Sequence, residues 1–205
     1  MRLLALAATC VAVALGACAP ARTSTAGGTP PEFVDAGPGN RPYYVGTPME
    51  KAEVERLVAR IGVETGEALL ALDAKILQFG EPGVPPLLRA LSSADARTRS
   101  QAAYLLGAMK DRRTIDALAT ASADAAPVVK YEAGAALLEM GEIRGAEVLI
   151  GGLADPDARL RAKSIDVLAA NAGTRFGYEP DDRPSDRDES IRRWKTWLAR
   201  RTLDR

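Results

Sequence analysis

The segments 93–106 (SADARTRSQAAYLL), 124–137 (DAAPVVKYEAGAAL) and 155–168 (DPDARLRAKSIDVL) align without gaps at a constant offset of 31 residues. Arg99, Lys130 and Arg161 fall at one equivalent position, and seven residues on Leu106, Leu137 and Leu168 coincide. The register extends backwards. Val84, Ile115 and Ala146 lie fifteen residues before the basic position, and Leu87, Leu118 and Leu149 lie twelve before it. Self-similarity at such a period marks a helical-repeat architecture.

Within each unit the apolar spacing is helical. Val84, Leu87, Leu88 and Leu91 stand at i, i+3, i+4 and i+7, and Ala102, Leu105, Leu106 and Met109 form the face of a second helix. Gly80-Glu81-Pro82-Gly83 precedes the first helix, and Ser92-Ser93-Ala94-Asp95 separates the two. Asp155-Pro156 reads as an N-cap followed by proline at the first helical position. Upstream, Thr47-Pro48-Met49-Glu50 is a capping-box start for a helix to about Ile61. A second helix is expected from about Thr65 to Phe79, with Leu69, Leu72, Ile76 and Phe79 on its face. One hairpin cannot cover its own apolar face, so the hairpins must stack. The expected fold is all-α: an α-solenoid of about four helical hairpins over residues 47–205, closed by a C-terminal capping helix.

The segments at 124–137 and 155–168 resemble HEAT repeats of the short, phycobilisome-lyase-like type, a resemblance that covers residues 80–171 well and 47–79 loosely. It implies the fold and is nearly silent on function. It also implies a ladder between repeats, made of a turn aspartate and the basic residue after it. Here that maps to Asp124 with Lys130 and Asp155 with Arg161, while Ser93 replaces the aspartate before Arg99. Such a ladder reads either as turn capping and ion pairing or as an anion-binding row.

Residues 172–205 hold Phe176-Gly177-Tyr178, a polar stretch and a final helix from Ser185 to Leu203, with Ile191, Trp194 and Leu198 on one face and Trp197 beside it. This resembles a tail found after HEAT arrays in some bacterial proteins, a Phe-Gly-Tyr turn followed by an Arg-x-x-Trp helix. Its expected role is to cover the open end of the stack. The rival reading makes Trp194 and Trp197 a binding hot spot. The acidic residues Glu179, Asp181, Asp182, Asp186 and Asp188 lack the ordered spacing of a calcium loop and read as a solvated turn.

The N-terminus sets an address. Met1-Arg2 is followed by a 13-residue apolar run, Leu3 to Leu15, too short for a span of about 20 residues. It ends in Leu15-Gly16-Ala17-Cys18, which resembles a bacterial lipobox. Residues 1–17 are therefore expected to be a cleaved signal and Cys18 the lipid-bearing terminus. Residues 18–46 are rich in Pro, Gly, Thr and Ala and read as a flexible tether with a reach of about 30 Å, although Pro42-Tyr43-Tyr44-Val45 also reads as a strap over the first helix or as a recognition segment. Ala19 after the cysteine favours the outer membrane facing the periplasm, with the cell surface as the alternative.

Several chemistries are missing. There is no histidine, and of the two cysteines Cys10 lies in the expected signal, so the usual general base and the His and thiolate metal ligands are lacking. Some HEAT-repeat enzymes are metal hydroxylases built on His-Glu pairs, a chemistry this composition lacks. No G-x-S-x-G, phosphate loop or dinucleotide fingerprint appears. Equal numbers of basic and acidic residues, 27 each, argue against nucleic acid as a partner. The expectation is a non-catalytic envelope scaffold, without cofactor, that binds a protein partner. The candidate surface is Gln101, Tyr104, Tyr131, Glu132, Lys163 and Asp166, with Trp194 and Trp197. The alternative is a ligand-binding protein or carboxylate-dependent enzyme using a groove of the stack.

Overall fold

The computed structural model describes residues 32–203, so the expected signal and Cys18 lie outside the described residues. Within that span a strand pair, β1 (Phe33–Val34) and β2 (Tyr43–Tyr44), precedes α1 (Pro48–Val58), α2 (Gly66–Phe79), α3 (Val84–Ala90), α4 (Ala96–Met109), α5 (Ile115–Ala121), α6 (Pro127–Glu139), α7 (Arg144–Gly152), α8 (Ala158–Ala172) and α9 (Pro184–Leu203). The first eight helices pair as four hairpins, the second helices α2, α4, α6 and α8 lie side by side in that order, and α9 packs on α7. Among the described residues no helix is long and apolar enough to cross a membrane.

Local chemistry sets the helix ends. Thr47 and Glu50 complete the expected capping box: the Thr47 amide donates to Glu50 Oε2 at 2.7 Å and the Glu50 amide to Thr47 Oγ1 at 3.3 Å. Before α8 the cap differs from the sequence reading. Asp157, not Asp155, is the N-cap and accepts from the Arg159 amide at 2.8 Å. Asp155 instead takes the Asp157 amide at 2.9 Å, making an Asx turn that holds Pro156 outside the helix. The seven-residue helices α3 and α5 are too short to persist alone. Burial of Val84, Leu87 and Leu118 holds them.

Two apolar clusters make up the interior, and α6 contributes to both. Ala133, Ala136, Leu137 and Met140 belong to the cluster of α1 to α5, whereas Tyr131, Ala135 and Leu138 belong to that of α7 to α9. Small residues allow this. A Cβ on Gly107 of α4 would lie 2.5 Å from Cβ of Ala136, and one on Gly145 of α7 would lie 2.3 Å from the Gly134 carbonyl oxygen.

The ladder between repeats differs from the one the resemblance implies. The Arg99 guanidinium donates through Nη1 to the carbonyls of Ser93 and Ala94 at 2.8 and 3.0 Å, staples its own turn, and reaches forward to grip Asp124 with Nε and Nη2 at 2.7 and 2.9 Å. Arg161 makes the equivalent staple to Asp155 O and Pro156 O and reaches forward to Pro180 O at 2.8 Å. The expected pairs of Asp124 with Lys130 and of the Asp155 carboxylate with Arg161 do not form. At the middle rung the forward bond passes to Tyr131, whose hydroxyl donates to Asp155 Oδ2 at 2.9 Å. A lysine ammonium lacks the planar fork needed to bridge two turns at once.

Residues 32–46, expected within the tether, are part of the folded body. Tyr43 is 1 % exposed and Val45 4 %, and the Val45 amide donates to the Glu32 carbonyl. The strap reading of Pro42–Val45 therefore describes this segment, and its seat extends past α1. The Arg113 guanidinium lies 4.1 Å from the Tyr43 ring centroid. It also donates to Asp111, to Glu81 Oε1 at 2.8 Å and to the Arg41 carbonyl at 3.0 Å. Burial is the largest single influence and opposes ionisation of Glu81 and Asp111, but the hydrogen bonds from Arg113, the Tyr44 amide on Glu81 and the nearby guanidinium charges together hold both below their ordinary values.

Two outcomes follow. Gly151 in α7 has open space where a Cβ would go, so Gly151→Ala should raise stability by about 0.5–1 kcal/mol through helix propensity. The same change at Gly145 should cost about 2–3 kcal/mol by overpacking; urea melts of the two variants check the opposite signs. The depressed carboxyls at positions 81 and 111 contribute stability that is present above their unfolded pKa, about 4, and is lost as pH falls through their folded values. Arg113→Met should therefore lower stability near neutrality by about 2–3 kcal/mol and flatten the acid limb of a Tm-against-pH curve.

Candidate interaction surface

The second helices run side by side, so equivalent positions on them form a row across the stack. The row starts at Asp73 of α2, which is buried and takes the Gln101 side-chain amide of α4 at 2.7 Å on Oδ2. Its other oxygen has no partner, and burial pushes its pKa up against that single hydrogen bond. One turn beyond Gln101, Tyr104 stands 45 % exposed. Next come Glu132 of α6 and Lys163 of α8, joined in an ion pair. Asp166, a turn further along α8, pairs with Arg175 at 3.0 Å on the far side.

These residues do not stand alike. Glu132 is only 8 % exposed because α6 is enclosed on both sides. Burial raises its pKa, and Lys163 only partly offsets this. Lys163 is less enclosed, with 38 % of its side chain exposed. Tyr104, Glu132, Glu139, Lys163 and Val167 border a shallow groove of about 180 Å³ between α4, α6 and α8. What the arrangement offers is an exposed aromatic beside a carboxylate and an ammonium that already satisfy each other, and a phenol, a buried acid and a half-buried base are groups that can hydrogen-bond a partner chain. Among the described residues no group of three or more His, Cys, Asp or Glu could hold a metal ion.

Two of the expected surface residues are elsewhere. Tyr131 is buried and its hydroxyl is committed to Asp155; burial and the neighbouring carboxylate push the Tyr131 phenol pKa up to about 12. Trp194 is wholly buried against Phe176 at 4.8 Å and Trp197 at 5.4 Å between ring centroids. It is the plug of the cap: Tyr178 below it donates to the Leu153 carbonyl at 2.5 Å, and Ser190 donates to the Gly177 carbonyl at 2.9 Å. Trp197 alone of the pair keeps an exposed edge. Helical spacing puts Tyr131 and Glu132 next to each other on α6 without telling which side has a neighbour. Asp73 was not anticipated, and its only signal is an acid among the apolar residues of α2.

The Glu132–Lys163 pair is asymmetric and can be tested as such. A carboxyl with a raised folded pKa contributes stability that is present below the unfolded pKa and lost as pH rises through the folded value. Near neutrality the ionised Glu132 is a cost that Lys163 relieves. Glu132→Gln should therefore leave Tm unchanged or raise it above pH 7. Lys163→Met should lower stability by about 1–2 kcal/mol, a buried-pair loss reduced for the exposed ammonium. Thermal melts at pH 5 and pH 8 separate the two.

Comparison with known proteins bears on the stack as a whole. No curated protein matches the chain. Among solved structures, the complex of CpcE and CpcF of phycocyanin lyase from Nostoc sp. PCC7120 contains a chain that superimposes with a TM-score of 0.51 at 21 % identity, covering 70 % of this chain and 98 % of that one. Human deoxyhypusine hydroxylase in complex with glycerol superimposes with a TM-score of 0.41, also at 21 % identity, over 59 % of this chain and 44 % of that one. The family model for HEAT repeats matches residues 67–170, from the start of α2 to the end of α8. The four stacked hairpins, the rungs between their turns and this match lead to one statement: the chain belongs to the HEAT-repeat family.

Proposed function

We propose that this HEAT-repeat protein is a non-catalytic interaction scaffold of the bacterial cell envelope, lipid-anchored through Cys18. It would present the second-helix row to a protein partner. The observation that carries the reading is the row itself. Gln101, Tyr104, Glu132 and Lys163 come from three successive second helices onto one surface, with Asp166 a turn further along α8, the extended platform that stacked repeats supply to partners. The polar groups on it are pre-paired across repeats, so Tyr104 can dock without ordering loose side chains first. The anchor rests on the lipobox-like Leu15-Gly16-Ala17-Cys18 after an apolar run. Ala19 favours the outer membrane, facing the periplasm.

A ligand-binding or carboxylate-dependent alternative has one observation in its favour, the raised pKa of Glu132 at the edge of a groove. The two readings separate experimentally. With a photo-cross-linking amino acid at position 104, intact envelopes should yield a discrete protein adduct that is absent with the same probe at exposed Arg89. No adduct at position 104 in correctly localised protein counts against the scaffold. Concentration-dependent thermal stabilisation by a small molecule, abolished by Glu132→Gln, supports the alternative. For the anchor, labelled palmitate should enter the wild-type chain and not Cys18→Ser; equal labelling of both refutes it.

A further inference from the structure

A second surface lies at the opposite end of the molecule from the strap. Arg175 O accepts the Tyr178 amide at 3.0 Å, closing a tight turn whose central residues Phe176 and Gly177 both have positive φ, 51° and 75°. A phenylalanine seldom adopts that backbone. It is held by Trp194 against its ring and by Arg193, which donates to its carbonyl. The consequence is that Phe176 stands beside Trp197, and the two make the apolar wall of a groove of about 510 Å³. The rest of the rim is Thr196 and four charged residues, Arg192, Arg193, Arg200 and a single acid, Glu189.

The charge there is unbalanced. Arg192 and Arg193 both face Glu189, while Arg200, like Lys195 and Arg201, has no ion pair among the described residues. From Arg192 to Leu203 the helix carries five basic residues and no acid, in a chain whose formal charge is zero. We propose that this groove binds an acidic peptide segment of a partner protein, in which one apolar or aromatic side chain lies against Phe176 and Trp197 and flanking carboxylates take Arg193 and Arg200. Guanidinium groups suit that role because their planar fork matches a carboxylate bidentately. A lipid surface fits less well. Trp194 and Ile191 are spent on the cap, and Leu203 is the one large apolar side chain that projects from the helix, too small an apolar face to insert. The proposal does not rest on the second-helix row, and either surface can fail without the other.

The test is fluorescence anisotropy of a labelled acidic peptide, Gly-Glu-Asp-Leu-Phe-Asp-Glu-Gly, titrated with the full chain. Saturable binding that weakens steeply between 50 and 200 mM salt is expected, at roughly the dependence of a few ionic contacts. Arg200→Glu should weaken it about tenfold or more, the loss of one charge-assisted contact. Arg144→Glu, a charge change on an exposed arginine of α7, should leave it unchanged. Trp197→Ala should also weaken it, and circular dichroism melts verify that each variant is folded. Absence of saturable binding, or equal binding by wild type and Arg200→Glu, overturns the proposal. So does binding to phosphatidylglycerol vesicles that Arg200→Glu abolishes when the peptide does not bind, since the groove would then belong to a lipid surface.

Discussion

The close approach of α4, α6 and α7 is the constraint on which the remaining structure depends. Helix α6 is buried over the whole of Tyr131–Leu138, which a helix can tolerate only if its neighbours come near enough to leave no void. Gly107 facing Ala136 and Gly145 facing the Gly134 backbone supply that proximity. Because both apolar clusters draw on α6, the two halves of the stack share one wall, and damage to it propagates in both directions. The short helices α3 and α5 have no independent stability and inherit theirs from this packing.

Electrostatics acts at the turns. Arginine is used where one side chain must satisfy two carbonyls of its own turn and still reach the next unit, at positions 99 and 161. At position 130 the chain has lysine, and the rung passes to the neighbouring phenol of Tyr131. The stack thus keeps a forward contact at each of these three turns while changing the chemistry that makes it. That substitution also explains why Tyr131, exposed by a naive reading of the pattern, is unavailable to a partner.

The architecture was legible because the 31-residue register is a property of the apolar and basic positions alone, and those positions decide which helices can stack. The capping box at Thr47 and the plug role of the Trp194 face were legible for the same reason, being matters of spacing. Partner choice across repeats was not. Whether Arg161 meets the Asp155 carboxylate or its carbonyl, and whether Asp155 or Asp157 caps α8, depends on distances between turns that no linear spacing encodes. The strap was hardest to read: Tyr43 and Val45 sit in a Pro- and Gly-rich stretch with no period, and Tyr43 packs under Arg113, seventy residues away in the chain. For the row on the second helices spacing names the members but not their depth: Tyr104 is exposed while Ala135, its equivalent on α6, is buried.

The strap has a mechanical consequence. Any pull on the chain before Glu32 enters the folded body at β1 and β2, and through Tyr43 and the strap carbonyls it passes to Arg113, at the turn leading into α5. Helices α1 to α4 lie between the strap and that turn in sequence, and the strap also holds α1 through the Glu32–Lys51 ion pair. Tension would be borne by a guanidinium held on several sides and loaded together with the strand pair, rather than by peeling the first hairpin off the end of the stack. A solenoid pulled from its terminal repeat unzips one unit at a time; one gripped also at the turn after its second hairpin shares the load across both.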